Sequence, residues 1–347
     1  MTQQQFSGGL SCVKFMQSYD YLSYDYYDAL LSPCANVLTS ARQQRLFIQL
    51  GKRGGVNFRL LFGIPKTKMV VNLAQALEAL TVDRSTSQDT EVGLLADQIL
   101  ANQKSDGGWG YEFDATLRWG AYAKETSNII ATYFCVRALV VAGVGGSWKA
   151  GVRKYLTKLH TGTYFRYAES TLELIHNANY LGALALTQVD GDIKLIKTSI
   201  ETSNSFQAAD GSWKYGQAQS LSWVDNFHTC YILSALLELQ DRGFRTRESF
   251  IRGYEYWRRS LYRNGELRYF AQDKKSTLDI HTRACVLNLF ANYARFFGSS
   301  PQVQSDLKLS QSQLLNELNR DSRPEYAFRW KLAPSAVALS SAGKFTG

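Results

Sequence analysis

The chain has 347 residues, 45% hydrophobic and 20% charged, with 26 Gly and 5 Pro; this composition belongs to a globular protein with a large core and excludes a disordered or collagen-like chain. Lys and Arg number 39 against 30 Asp and Glu, and the net charge of +9 favours anionic partners without choosing among them. Five widely spaced cysteines (Cys12, Cys34, Cys135, Cys230, Cys285) form no CxxC pair, which argues against a disulfide framework and a zinc ribbon and fits a reducing compartment. The start lacks the basic and apolar regions of a signal peptide, and no apolar run approaches roughly 18 residues, so a cytoplasmic protein without a membrane span is expected. Dispersed basic residues and the lack of a binding motif count against nucleic acid as a partner, and no P-loop or dinucleotide fingerprint is present.

In chain order, residues 1–38, with the tyrosine-rich SYDYLSYDYYDALL, read as an N-terminal extension or lid. A first helical pair is expected at 39–50 and 69–82. A repeat of about 50 residues then dominates the chain. Its turns are Gly107-Gly-Trp109-Gly-Tyr111, Gly162-Thr-Tyr164 leading to Tyr167, Gly211-Ser-Trp213-Lys-Tyr215 and Gly265-Glu-Leu267-Arg-Tyr269, with glycines 55, 49 and 54 residues apart. Each turn follows a polar-faced amphipathic stretch, such as EVGLLADQILANQ or DIKLIKTSIETSNSF, and precedes a more apolar one, such as NIIATYFCVRALVVAG or DNFHTCYILSALLEL. A helix apolar all round must be shielded all round, so each repeat supplies an outer and an inner helix. A last pair at 302–318 and 330–342 makes six. Six such hairpins over 39–342 predict an all-α, (α/α)6 toroid in a single domain spanning 1–347, because an open solenoid needs polar capping repeats and none is visible. Alternating β-branched runs are almost missing, which argues against a sheet-based fold.

These motifs carry a resemblance. Gln103-Lys-Ser-Asp106-Gly107-Gly108-Trp109 and Gln207-Ala-Ala-Asp210-Gly211-Ser212-Trp213 resemble the Q-x-x-D-G-x-W repeat of the terpenoid cyclase and protein prenyltransferase toroid superfamily, over about residues 70 to 342. Asp225-Asn-Phe-His228-Thr-Cys230-Tyr231 is similar to the segment that carries a zinc-ligand histidine in prenyltransferase β-subunits. A closer resemblance is to bacterial toroid proteins encoded with capsule and exopolysaccharide genes, through Trp109 to Asp114, Val224 to Thr229 and Asp279 to His281; it implies a role in glycan assembly. The chain departs from the isoprenoid enzymes. It has Val189-Asp190-Gly191-Asp192 in place of the D-x-D-D acid, no DDxxD, and Leu174-Ile-His176-Asn-Ala where a D-x-C zinc pair would stand.

Three of the four histidines, His176, His228 and His281, lie 52 and 53 residues apart near the starts of successive inner helices. Glu173 and Asp225 precede their histidines by three residues and Asp279 precedes His281 by two; residues i and i+3 share a helix face, so these pairs are expected to project together into the cavity. A carboxylate-oriented imidazole serves as general acid or base, with Tyr111 or Tyr215 as a second proton-transfer group, and suits hydrolysis, β-elimination or epimerisation of a sugar. The alternative use is Zn²⁺ binding by histidines and a carboxylate. Trp109, Tyr111, Trp213, Tyr215 and Tyr269 are candidates to line a substrate site, although the Gly-x-Trp turn also serves to pin outer helix to inner. Asp114 and Arg118 lie in the long connection of residues 107–124, where cavity-lining groups collect. Arg118, Lys124, Arg166, Lys214 and Arg268 are positioned to hold carboxylate or phosphate. The expected function is therefore an enzyme acting on a small-molecule, glycan or lipid-linked substrate, neutral or anionic, in surface-polysaccharide biosynthesis. The alternatives are an isoprenoid diphosphate cyclase or prenyltransferase and a non-catalytic toroid that binds a glycan or protein.

Overall fold

The structure is a computed structural model that describes residues 70–82, 89–112, 114–117, 120–263, 265–273, 280–320, 338, 341 and 342. Helices alternate along these residues: α1 (Val70–Val82), α2 (Asp89–Ala101), α3 (Ile129–Val141), α4 (Trp148–Leu159), α5 (His176–Gln188), α6 (Ile193–Ser205), α7 (Asn226–Asp241), α8 (Arg247–Ser260), α9 (Ile280–Phe297) and α10 (Pro301–Arg320). The odd-numbered helices pack on one another in sequence, α1 on α3, α3 on α5, α5 on α7 and α7 on α9. The even-numbered ones lie outside, α2 on α1, α6 on α5, α8 on α7 and α10 on α9. Side chains from all five odd-numbered helices line one cavity, so the chain is an α/α toroid.

The sequence dictates this division. Twelve of the thirteen residues of α5 are buried, whereas α6 buries only Ile196, Ser199, Ile200 and Ser203 on one stripe. Of the expected terminal pairs, 69–82 appears as α1 and 302–318 as α10; 39–50 and the extension at 1–38 lie outside the described residues. Of 330–342, residues 338, 341 and 342 are helical. Two short hairpins were not expected: β1 (Ala115–Leu117) pairs with β2 (Gly120–Tyr122) and β3 (Tyr262–Arg263) with β4 (Glu266–Leu267). At two or three residues each, they are too short to show alternation.

The Q-x-x-D-G-x-W turns work residue by residue. Gln103 Nε2 donates to Gly107 O (2.9 Å) and to Trp148 O (3.1 Å) on the next outer helix, and Gln207 Nε2 does the same to Gly211 O and Ser249 O, both at 2.9 Å. Asp106 and Asp210 accept from the backbone N–H two residues on. Trp109 Nε1 donates to Ile99 O (2.7 Å) and Trp213 Nε1 to Ser203 O (3.0 Å), which satisfies carbonyls of the preceding outer helix. Gly107 adopts φ +94°, and a Cβ there would stand 2.1 Å from Gly151 O of α4.

Adjacent repeats are joined through the backbone. The first N–H groups of a helix have no partner within it. Here Ile129 N donates to Tyr167 O (2.8 Å), His176 N to Tyr215 O (3.0 Å) and Asn226 N to Tyr269 O (2.9 Å), so α3, α5 and α7 each start on the turn tyrosine of the following repeat. Antiparallel bridges Asn128↔Ala168, Ile175↔Gly216 and Asp225↔Phe270 flank these bonds.

Gly107→Ala combines a left-handed backbone with a backbone clash and is expected to cost about 2–5 kcal/mol. Gly143→Ala, at φ +72° with open space around it, carries only the conformational cost of about 1–2 kcal/mol. Urea unfolding of the two variants measures the difference, and equal losses would contradict the close approach of α4.

Candidate functional site

The N-terminal ends of the inner helices bring together some of the residues singled out in the sequence, above all Asp225, His228, His281 and Tyr215. Asp225 is the N-cap of α7, and its Oδ1 accepts from His228 N at 2.8 Å. Its Oδ2 lies 2.7 Å from His228 Nδ1 and also accepts from Trp223 Nε1 at 2.8 Å. Asp225 is 2% exposed. Burial pushes its carboxyl up, but the charge of His228 and the hydrogen bonds from the His228 ring, its backbone N–H and Trp223 outweigh burial and hold it below the usual carboxylate range. The His228 side chain remains 20% exposed and its Nε2 makes no hydrogen bond among the described residues. Asp225 thus engages Nδ1 and fixes the orientation of the ring, which leaves Nε2 without a protein partner among the described residues.

The three histidines are not equivalent, contrary to the expectation from their spacing. The N-caps are Asn128 for α3, Ile175 for α5 and Asp225 for α7, and α9 begins at Ile280. His176 therefore stands one residue after its cap, His228 three, and His281 second in its helix; at about 100° per residue they face different ways. His176 occupies the position of Ile129 and Asn226, which turns toward the outer helix. It is fully buried, with Nδ1 3.0 Å from Ser203 Oγ of α6 and Nε2 2.6 Å from Gln217 Nε2. Burial lowers its pKa to about 4. It is a structural residue and not a catalytic one. Glu173 precedes the helix, so the i, i+3 pairing with His176 does not form; it lies instead in the electrostatic field of Tyr122. Asp279 lies outside the described residues. His281 Nε2 is 3.1 Å from Tyr231 OH, and Phe227 sits edge-on between the His228 and His281 rings, 4.7 and 4.6 Å from them.

Trp109 and Trp213, expected as substrate contacts, are 0% and 2% exposed and bonded into the outer helices, so they pack the wall. The tyrosines of the same turns reach the mouth. Tyr215 stacks on Trp223 (4.6 Å, 7° between planes) and meets the His228 ring edge-on at 4.4 Å. Tyr111 OH is 3.2 Å from Tyr167 OH, and Tyr122 OH is 2.6 Å from Thr171 Oγ1. Burial raises the Tyr215 and Tyr167 phenols well above their ordinary value, which keeps them as hydrogen-bond donors at neutral pH. Tyr269 lies half-buried against Phe270. Asp114 is exposed and Oδ1 accepts from Lys124 N (2.6 Å), which ties the connection of residues 107–124 to itself; Arg118 lies outside the described residues. Among the described residues no three His, Cys, Asp or Glu side chains stand together, so they do not furnish the ligand set of the zinc reading.

Deeper in the cavity is a charged group that the sequence reading did not single out. Arg137 of α3 donates through Nε to Glu78 Oε1 of α1 (2.7 Å) and through Nη1 to Glu238 Oε1 of α7 (2.6 Å). Burial opposes the guanidinium's charge, but Glu238 and Glu78 overcome it and raise its pKa well above the ordinary value. The signal for these residues was a lone charge inside otherwise apolar helices, as in VVNLAQALEALTV.

No protein-family model matches the chain, and no curated protein matches it. Solved structures do. An ent-copalyl diphosphate synthase from Streptomyces platensis is similar with a TM-score of 0.57 at 18% identity, over 82% of this chain and 53% of the synthase, so the chain spans about half its length. Cellobiose 2-epimerase from Spirochaeta thermophila gives 0.53 at 13%, over 80% of this chain and 86% of the epimerase, and PssZ from Listeria monocytogenes gives 0.50 at 14%, over 80% and 87%. The likeness is one of fold. No described helix is long and apolar enough to cross a membrane.

His176 tests the division between wall and mouth. Its folded pKa of about 4 lies below the ordinary 6.5, so the folded protein resists its protonation while the unfolded chain accepts it. Stability from this residue is therefore complete above pH 6.5 and is lost as pH falls toward 4. The loss is about 3 kcal/mol. Urea unfolding across this range should show the decline, and His176→Gln should flatten it.

Proposed function

We propose that the protein is an enzyme acting on a glycan or glycolipid intermediate of surface-polysaccharide assembly, with Asp225 and His228 as its acid–base pair. The observation that carries this reading is the buried Asp225 carboxylate 2.7 Å from Nδ1 of a half-buried His228 whose Nε2 is free. Such an imidazole takes a proton at Nε2 from a sugar C–H, for epimerisation or elimination, or from water, for hydrolysis. Asp225 stabilises the imidazolium that results. The phenols around the mouth supply donors suited to sugar hydroxyls.

Two further points favour a glycan over an isoprenoid diphosphate. The D-x-D-D and DDxxD carboxylates of isoprenoid cyclases are missing from the sequence. The deeper cavity carries two carboxylates against one guanidinium, which repels a diphosphate. The likeness in fold to a cellobiose 2-epimerase is consistent with this reading.

The test is turnover of a panel of neutral, amine-bearing and uronate-containing oligosaccharides, followed by proton NMR in D₂O. Epimerisation and elimination exchange a sugar C–H, and hydrolysis releases new reducing ends. His228→Gln and Asp225→Asn are expected to lower the rate by about 10²–10⁴-fold. Asn caps a helix about as well as Asp, so Asp225→Asn should retain helicity and melting. Full turnover in Asp225→Asn would overturn the assignment.

A further inference from the structure

The inner cavity holds polar groups that the fold itself leaves unused. Gln75 and Ser234 line it, are 5% and 9% exposed, and make no hydrogen bond among the described residues. Asn288 joins them from α9, also without a partner. Beside them stand Glu78, Arg137 and Glu238, held to one another but with lone pairs and N–H groups left over. These groups face one shared space without a hydrogen-bond partner among the described residues, so a polar guest there would meet donors and acceptors already in place. Phe134, Tyr133 and Tyr231 complete the wall.

We propose that this cavity is a subsite for one sugar ring, uncharged or amine-bearing. The inference rests on the glycan reading and adds to it a place and a charge preference. Carboxamides, a hydroxyl, carboxylates and a guanidinium supply both donors and acceptors, which is what a ring of hydroxyls requires, since each hydroxyl donates once and accepts twice. The aromatic wall suits the apolar face of such a ring. Glu78 and Glu238 against Arg137 leave one formal negative charge, which disfavours a uronate or phosphate and favours an ammonium. The free volume of about 60 Å³ holds about four or five waters, a match for one ring and not for a chain. Ser234 lies six residues beyond His228 on α7, about 9 Å along the helix. The ring held here is therefore a neighbour of the one that reacts at the dyad.

The experiment is calorimetric titration of the full chain with glucose, galactose, mannose, glucosamine and glucuronate. At least one neutral hexose or glucosamine is expected to bind, and glucuronate is not. Gln75→Met, which keeps side-chain volume, and Ser234→Ala, which removes one oxygen, are made separately so that misfolding of one leaves the other informative, and each takes away the hydrogen-bonding group. Each should weaken binding about tenfold. Lys158→Ala, at an exposed position of the outer helix α4, should leave the affinity for a single sugar unchanged. The subsite is refuted if no neutral or amine-bearing sugar binds, if glucuronate binds equally well, or if both variants retain full affinity. Its failure is separable from that of the acid–base assignment: loss of turnover in His228→Gln without sugar binding here leaves the dyad standing, and binding with undiminished turnover in His228→Gln leaves the subsite standing.

Discussion

The architecture depends on one backbone hydrogen bond made three times around the rim. The first N–H of an inner helix has no acceptor within its own helix, and the carbonyl of the next repeat's turn tyrosine provides one. This bond fixes where each inner helix begins relative to its neighbour. It also determines which side chains reach the mouth, because the tyrosine that lends its carbonyl carries its ring into the same space. Tyr167, Tyr215 and Tyr269 are thus architectural through their backbone, and the Tyr215 ring also stands edge-on to His228. Gly211 and Gly265, four residues before Tyr215 and Tyr269, serve the same end by letting the following outer helix approach closely, at Arg252 O of α8 and Leu309 of α10.

Asp225 has a comparable double role. As an N-cap it satisfies the amide of His228, and with its second oxygen it orients the ring of that same residue. Trp223 closes the carboxylate's remaining side, so the buried charge is fully partnered. A carboxylate held in this way costs the fold little, since the interactions that keep it ionised also start the helix. The imidazole gains a fixed tautomer without a dedicated scaffold.

The period, the glycine turns and the order of outer and inner helices were legible because each leaves a local mark on the sequence: a polarity change, a left-handed glycine, a repeated Gln or Trp. Asp225 and His228 were legible for the same reason, since a cap and its third residue are near neighbours in sequence. The equivalence assigned to His176, His228 and His281 failed because it rested on their spacings of 52 and 53 residues, which do not locate the helix starts. The caps set the true register, and there the three differ by one or two positions. A displacement of one residue turns a side chain from the cavity into the wall. Glu78, Arg137 and Glu238 escaped notice because their partnership spans 59 and 101 residues, and only the closed ring brings them together.

Arg137 ties α3 to α1 beside it and to α7, which is next but one around the ring. A tie of this kind crosses the hollow as a strut and does more than join two walls. It narrows the hollow and sets charged groups at its inner end. Toroids of this shape that differ only at such a crosspiece would admit guests of different length through the same doorway. Selectivity for size can then diverge while the rim and its chemistry stay as they are.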